Sequence, residues 1–511
     1  MASRRRTWLL PAAWLGLLAI ALAVRLPFVL RVGPNEGGGD EWYAAWRSWC
    51  VLFERGNPGN FLHPALFYEA GAALFGALSL TFHSTADVLT DFVLHEAKYL
   101  QALQLLAAFF GALTVPVVFE LGRRVSGWRA GVVAAGILAV LPLHVEYSQR
   151  VRVDSLCVLL TAVSAVALHG LAERGRTRDF ILSGVAIGLA TGANYPAAFV
   201  GVAYLGAALV APRRSAFVRS LVLGVVAAAT AFALTNPYMI RTPTAAWEGF
   251  FFQLSLAVKQ HPYNENVSRW FYLRVLRDQS VVFALLAACS GAWLTVYGRG
   301  FRRILGLFPW LFIGTFIAAS NQEDRYILIA MPWLCAAIGV FLVDASSTVQ
   351  RIRIPIVAGS LILVAVMTFG LWRGAAPRVL ADKAEESPRW VMQRWLIEHA
   401  PAGGTVWLES DILPLLQATF ADPGGDLQVL VQHAFLHAHP GFRVRFLKGE
   451  RVERTANFDP ALVTEKRIDL AVTCERNVRY ADGAQRTFYA ALEQRGQRRF
   501  EAMGCWIVAI D

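Results

Sequence analysis

Two adjacent carboxylates, Asp40 and Glu41, follow three glycines in Glu36-Gly-Gly-Gly-Asp40-Glu41-Trp42-Tyr43-Ala44-Ala45-Trp46-Arg47. Glycines let a backbone approach a ligand closely. Neighbouring carboxylates raise one another's pKa, which suits one of them to take a proton near neutrality. Asp40 is therefore a candidate catalytic base at a membrane surface. Glu41 could brace it or orient a second reactant. The same stretch also reads as a solvated acidic turn, because acidic residues favour a helix N-terminus. A second motif is Phe61-Leu62-His63-Pro64-Ala65-Leu66-Phe67-Tyr68-Glu69, and a third is Arg150-Val-Arg152-Val-Asp154. Asp154 reads as a further base contact or as an ion-pair partner of Arg150 or Arg152. Arg325, between Asp324 and Tyr326, offers a fork of donors that matches phosphate oxygens. His63, Lys259, His261 and Arg269 are further cationic candidates, and any of them could instead meet lipid headgroups.

These groups need elements that bring them to one place. The 511 residues are 56% hydrophobic and 17% charged, where a soluble domain carries about 25% charged residues. Apolar runs near the roughly 20 residues needed to cross a bilayer recur over the first three quarters. The composition implies a polytopic α-helical membrane protein. The net charge of +11 does not point to nucleic acid, because basic residues gather in cytoplasmic loops of such proteins.

The chain opens with Arg4, Arg5 and Arg6, then an apolar stretch over about 8–30 that is too long for a typical signal-peptide core. It reads as an uncleaved first span. Residues 31–95 then form a first outer loop. Within it, the apolar run 65–80 is short for a span and reads as an interfacial helix. Later spans are expected near 100–121, 130–143, 155–171, on both sides of Asn194-Tyr195-Pro196, near 221–234, on both sides of Arg299-Gly-Phe-Arg302-Arg303, after Arg325-Tyr326, and over 355–371. Arginine clusters mark every second loop, which is the positive-inside pattern if 65–80 does not cross. The expected count is about eleven. Arg150, Arg152, Asp154, Lys259, His261, Arg269, Arg274, Asp324 and Arg325 then share the outer face with Asp40. Trp42, Trp46 and Trp49 could stack on a sugar, but the interface is where tryptophan accumulates.

The division expected is a membrane domain over 1–373 and a small extracytoplasmic α/β domain over 374–511. An amphipathic helix starts at Ser387-Pro388, with Trp390, Val391, Trp395 and Ile397 on one face. Strands are expected at 405–409, 470–473 and 506–510, and a helix over 488–495. No glycine-rich phosphate fingerprint follows a strand. His433, His437 and His439 lack the intervening glutamate of a zinc motif and read as surface or loop histidines. Cys474 and Cys505 could pair if the tail lies outside the cytoplasm.

The order of these motifs resembles the protein O-mannosyltransferase and aminoarabinose-transferase superfamily, membrane glycosyltransferases of the C-type fold. The residues that carry the resemblance are Asp40-Glu41, His63-Pro64, Arg152-Val-Asp154, Asn194-Tyr195-Pro196, Asn236-Pro237-Tyr238 and Arg325-Tyr326. The run Trp390…Trp395…Pro401…Gly404-Thr-Val-Trp-Leu-Glu409 also resembles the outer domains of bacterial members. One departure is that bacterial relatives often have Lys-Pro-Pro where this chain has Leu62-His63-Pro64. A phosphate-binding lysine is missing there, and whether His63 replaces it is open.

The resemblance implies transfer of a sugar from a polyprenyl-phosphate carrier to a hydroxyl of a protein, lipid or polysaccharide, outside a bacterial plasma membrane. The leaving phosphate is a stable anion, so cations suffice to hold it and no general acid is needed. A base must take the proton of the attacking hydroxyl, and Asp40 stands at the family's position for it. Attack opposite the phosphate inverts the anomeric carbon. Glu41 and Asp154 are the supporting carboxylates. Arg325, His63, Arg152, Tyr195, Tyr326, His261 and Arg269 are the candidates for binding donor and substrate. Tyr195-Pro196 and Asn236-Pro237 also read simply as helix ends. A divalent metal is possible at Asp40-Glu41, yet mannosyltransferase relatives work without one. A lipid-linked sugar transporter would carry ionisable residues inside its spans, and these spans are nearly free of them. A non-catalytic membrane scaffold is a third reading, against which the intact Asp40-Glu41 speaks.

Overall fold

A computed structural model describes residues 2–32, 39–82, 88, 91, 96–212, 216–258, 268–317, 319, 322–348, 369–370, 395, 399, 406–408, 460–465, 468–474, 478, 483–502 and 505–510. In chain order the helices are α1 (Ala2–Val32), α2 (Gly39–Phe53), α3 (Leu66–Ser79), α4 (Glu96–Ser126), α5 (Trp128–Val140), α6 (Pro142–Tyr147), α7 (Asp154–Arg174) and α8 (Thr177–Ala193). There follow a one-turn 3₁₀ segment Tyr195–Phe199, α9 (Val200–Val210), α10 (Phe217–Leu234), α11 (Pro237–Arg241), α12 (Pro243–Val258), α13 (Phe271–Gln279), α14 (Val281–Tyr297) and α15 (Phe301–Ile317). A second 3₁₀ segment, Asp324–Ala330, leads into α16 (Met331–Thr348). The C-terminal part holds β1 (Val406–Leu408), α17 (Ala461–Thr464), β2 (Leu470–Cys474), α18 (Gly483–Arg495), β3 (Gly496–Ala502) and β4 (Cys505–Ile510). The chain divides into two compact units, residues 1–34, 60–71 and 101–381, and residues 35–59, 72–100 and 382–511.

The first unit is a helical bundle punctuated by proline and glycine. Pro142, Pro196, Pro237 and Pro243 stand at helix starts, where the missing N–H is no loss. Gly127, at φ 88°, makes the turn between α4 and α5. α8 and α10 pack backbone against backbone, because a Cβ on Gly184 would overlap the Gly224 carbonyl and one on Gly188 the Ala228 carbonyl. Small residues at such a contact are how membrane helices associate without a hydrophobic driving force.

Five described helical stretches are long and apolar enough to cross a bilayer: Leu10–Leu30, Lys98–Ser126, Asp154–Arg174, Phe217–Leu234 and Asp324–Ala345. They become six if α13 and α14, bent by 115°, count as one span. The chain is a polytopic, mainly helical membrane protein. α3 has 14 residues, about 21 Å of helix, against a hydrocarbon core of about 30 Å. Of the last expected span, 355–371, only residues 369–370 are described.

In the second unit, α2 buries its apolar face. Trp49 is fully buried, with ring centroids of Phe53, Phe75 and Tyr99 at 5.2, 4.9 and 5.1 Å. Trp46 is also buried. The expectation of interfacial or sugar-stacking tryptophans is thus corrected for these two, since packing inside the protein takes the same aromatic surface. The four-stranded sheet has the order β1-β2-β4-β3, with β1 parallel to β2 and the other pairs antiparallel. Trp407, Ala471, Phe488, Tyr489 and Leu492 form its core with Val463 and Ile468. β1, β2, β4 and the helix α18 form where the sequence predicts them, with α18 starting five residues before the expected 488. β3 does not announce itself, since Gly-Gln-Arg-Arg-Phe-Glu-Ala alternates poorly; pairing with β4 imposes it, with a register shift between Arg498 and Phe500. His433, His437, His439 and most of the helix expected from Ser387 lie outside the described residues.

Candidate active site

The site is built by the segments that break the helices of the first unit. Hydrogen bonds show which of these segments meet. Asn236 Oδ1 accepts from the Ala65 N–H at 2.6 Å, and the Tyr195 hydroxyl donates to the Phe61 carbonyl at 2.8 Å. The His63-Pro64 segment is thereby tied to two turns far along the chain. Gln279 Oε1 accepts from the Leu143 N–H at 2.7 Å, and Gln322 Oε1 from the Ser268 N–H at 3.0 Å. The Tyr147 hydroxyl donates to Asp324 Oδ1 at 2.5 Å.

Around that last bond lie most of the charges. Asp154 is the first residue of α7, where a carboxylate favours the helix dipole. Its Oδ2 lies 3.4 Å from Arg152 Nε, and its Oδ1 accepts from Asn194 Nδ2 at 3.4 Å. Both Arg152 and Asp154 are largely shielded, with side chains 11% and 14% exposed. The ion-pair alternative for Asp154 is therefore the arrangement present, with Arg152 as partner. Arg150 turns instead to Glu146, at 2.5 Å. Both arginines lie over the Tyr147 ring, at 4.9 Å for Arg150 and 6.0 Å for Arg152. Burial and then the Asp324 carboxylate push the Tyr147 phenol well above its ordinary pKa.

Arg325 stands one residue after Asp324, whose Oδ1 also accepts from the Arg325 backbone N–H at 2.8 Å. Its guanidinium pairs with Glu323: Nη2 donates to Oε1 at 3.0 Å, and Nε lies 2.6 Å from Oε2 without the alignment of a hydrogen bond. The guanidinium thus faces an oxyanion, as it would face a phosphate. Tyr326 points its hydroxyl toward Glu323, at 3.5 Å, and packs on Phe316 at 5.4 Å.

The remaining candidates spread out. His63 is partly buried, and Arg269 is exposed just before α13. Tyr195 uses its hydroxyl on the Phe61 backbone and its ring edge on Phe250, at 5.2 Å. His261 and Lys259 lie outside the described residues. Asp40 and Glu41 belong to the second unit, in the first turn of α2. Glu41 is buried, and the Asp40 side chain lies outside the described residues. Arg47, nearly two helical turns further on, lies 4.7 Å from the Tyr43 ring and donates to the Pro58 carbonyl at 3.0 Å. Among the described residues, no three of His, Cys, Asp and Glu come together as metal ligands would.

Three groups escaped sequence reasoning. Tyr147 and Asp324 are 177 positions apart, and no local pattern announces such a pair. Glu69, in the first turn of α3, was part of a motif without a role; its burial raises its pKa to about 7. The third is Arg25, in α1.

The arrangement found is a helical membrane bundle whose interhelical turns gather acid–arginine pairs, and known proteins share its fold. Residues 95–240 match the model of the family described as dolichyl-phosphate-mannose-protein mannosyltransferase. ArnT from Cupriavidus metallidurans in the apo state superposes with a TM-score of 0.61 at 14% identity, over 100% of this chain and 98% of that one. The same protein bound to undecaprenyl phosphate gives 0.59 at 13% identity, over 98% and 97%. The archaeal oligosaccharyltransferase AglB from Archaeoglobus fulgidus, in complex with an inhibitory peptide and a dolichol-phosphate, gives 0.54 at 13% identity, over 98% and 74%. No curated protein matches by sequence. The resemblance read from the motifs therefore holds, and the fold is that of these glycosyltransferases.

Proposed function

We propose that this chain is an inverting glycosyltransferase that moves a sugar from a polyprenyl-phosphate carrier to an acceptor hydroxyl on the outer face of a bacterial plasma membrane. The observation that carries this reading is the meeting of the Arg152–Asp154 turn with the Asp324–Arg325 turn through Tyr147, in a chain whose whole length follows the ArnT fold. The lipid-phosphate carriers bound in the ArnT and AglB structures support a lipid-linked donor here.

In the proposed reaction Asp40 takes the proton of the acceptor hydroxyl as its oxygen attacks the anomeric carbon. The bond from that carbon to the phosphate oxygen breaks on the opposite side, which inverts the centre. The pair of electrons leaves with the phosphate, whose charge Arg325 holds, with His63, Arg152, His261, Arg269, Tyr195 and Tyr326 as its possible supports. Glu41 braces Asp40. Asp154 orients Arg152 rather than acting as a base, because an adjacent guanidinium stabilises its ionised form. The acceptor hydroxyl belongs to a protein, a lipid or a polysaccharide.

The same reading takes the membrane domain to be residues 1–373 with about eleven spans. It places the α/β part, residues 374–511, and the site outside the cytoplasm. Radiolabelled sugar transfer from a polyprenyl-phosphate donor tests it. Asp40→Asn is expected to abolish transfer with expression and insertion intact; near-normal transfer by that variant removes Asp40 from the mechanism.

A further inference from the structure

Arg25 lies inside the first apolar stretch, Leu10–Leu30, and is fully buried. An ionisable residue at such a place is rare and marks a functional element by default. Its Nη1 donates to the Ala21 and Ala139 carbonyls at 3.0 and 3.2 Å, and its Nη2 to His144 Nδ1 at 2.8 Å. A guanidinium has no lone pair to offer, so Nδ1 accepts and the imidazole is neutral, with its proton on Nε2. Gln149 Nε2 donates back to the Arg25 carbonyl at 3.2 Å, and the Ser148 hydroxyl donates to the His144 carbonyl. Gly111 of α4 closes the group: a Cβ there would collide with Ser148 and lie 3.5 Å from Arg25 Nε. Among the described residues, no carboxylate pairs with this cation. Four segments meet on it: α1, α4, the end of α5, and residues 144–149.

That last segment carries Tyr147 and runs directly into Arg150, Arg152 and Asp154. We propose that Arg25 is a positioning residue for the transfer reaction, an inference that rests on the transferase reading above. Its guanidinium ties His144, on one side of Tyr147, to the first span, and its backbone carbonyl holds Gln149 on the other. With both flanks held, the Tyr147 hydroxyl has one place to reach, Asp324, and the Arg152–Asp154 pair starts from a fixed point. Lysine cannot substitute, because a single ammonium does not reproduce a planar fork that serves acceptors on three segments. A small displacement of this turn costs more in the transition state than in binding, since reacting groups must align within a fraction of an ångström.

The full-length protein in lipid nanodiscs, as Arg25→Met, Arg25→Lys and Gln149→Leu, tests the inference. Hydrogen–deuterium exchange needs no substrate. Arg25→Met and Gln149→Leu are expected to speed exchange in residues 142–154 about tenfold and leave 177–193 unchanged. With an undecaprenyl-phosphate-linked sugar on which the wild type is active, kcat is expected to fall about tenfold in both variants, with donor KM within about twofold. Arg25→Lys is expected to recover only part of the loss. Unchanged exchange in 142–154 overturns the inference. So does faster exchange with unchanged kcat, which would leave Arg25 a purely structural tie. Should Arg25→Met fail to insert, Arg25→Lys, which keeps a buried cation but not the fork, decides on both readouts. A wild type inactive on every such donor sinks the transferase reading, while exchange still reports on the tie itself.

Discussion

Tyr147 and Asp324 share a hydrogen bond of 2.5 Å across 177 positions of sequence. One oxygen of Asp324 accepts from the phenol and from the Arg325 backbone N–H together. The turn before α7 and the turn before α16 are therefore joined at the residue that precedes the proposed phosphate ligand. Burial and the carboxylate's charge keep the Tyr147 proton in place, so the phenol is a donor at any working pH.

Tyr147→Phe removes that donor and leaves the ring. A hydrogen bond to a charged group contributes about 1.5–3 kcal/mol, so the Arg325 turn loses a substantial restraint. Transfer is expected to fall about tenfold, mostly in kcat, with little change in insertion or yield. Steady-state kinetics with a polyprenyl-phosphate sugar decides it: unchanged kcat shows that the restraint plays no part in the reaction.

Glu323 occupies the fork that Arg325 would offer to a phosphate. If Arg325 holds the donor, Arg325→Ala raises donor KM about tenfold or more, since a charge-assisted two-point contact is lost. Glu323→Gln acts in the opposite direction. It removes the competing charge and is expected to lower donor KM. A rate that depends on donor concentration as in the wild type, in both variants, takes Arg325 out of donor binding.

What could be read in advance was what depends on local sequence. Pro196 and Pro237 end helices because they lack an N–H, and the breaks at Asn194 and Asn236 stand where they were expected. β1, β2 and β4 follow from short continuous runs of apolar, partly β-branched residues. Long-range partners could not be read. The nature of Tyr195 does not say that its hydroxyl goes to Phe61, nor that of Trp49 that Phe75 and Tyr99 enclose it. No local pattern announces the setting of Arg25, because its acceptors are two carbonyls and a histidine 119 positions away. The grip of Glu323 on Arg325 was within two residues and still invisible, because a dipeptide spacing does not fix a side-chain rotamer.

Glu69 makes the protein sensitive to pH. Burial raises its carboxyl from about 4.5 to about 7 in the folded state. Between those values the folded chain binds a proton that the unfolded chain has released, so stability falls as pH rises through this window. Glu69→Gln removes the penalty. The variant is expected to melt roughly 1–2 °C above the wild type at pH 8 and together with it at pH 4. A gap of the opposite sign, or one that does not change with pH, rules out a raised carboxyl at this position.

The register of the C-terminal sheet provides a check on sidedness. Cys474 and Cys505 are directly opposed in the antiparallel pair β2–β4. Such positions have Cα atoms about 4.5–5.5 Å apart, within the range that a disulfide spans. In an oxidising compartment a thiol–disulfide oxidoreductase would take the two electrons and the two thiol protons would leave; in a reducing cytoplasm the pair would stay as thiols. Cells are to be quenched with a permeant alkylating reagent, and the purified protein digested without reduction. A cross-linked peptide joining residues 474 and 505 is expected, lighter by two hydrogens than the sum of its parts. Full alkylation of both cysteines would place the tail in a reducing compartment, and with it would fall the outward orientation proposed for the α/β part of the chain.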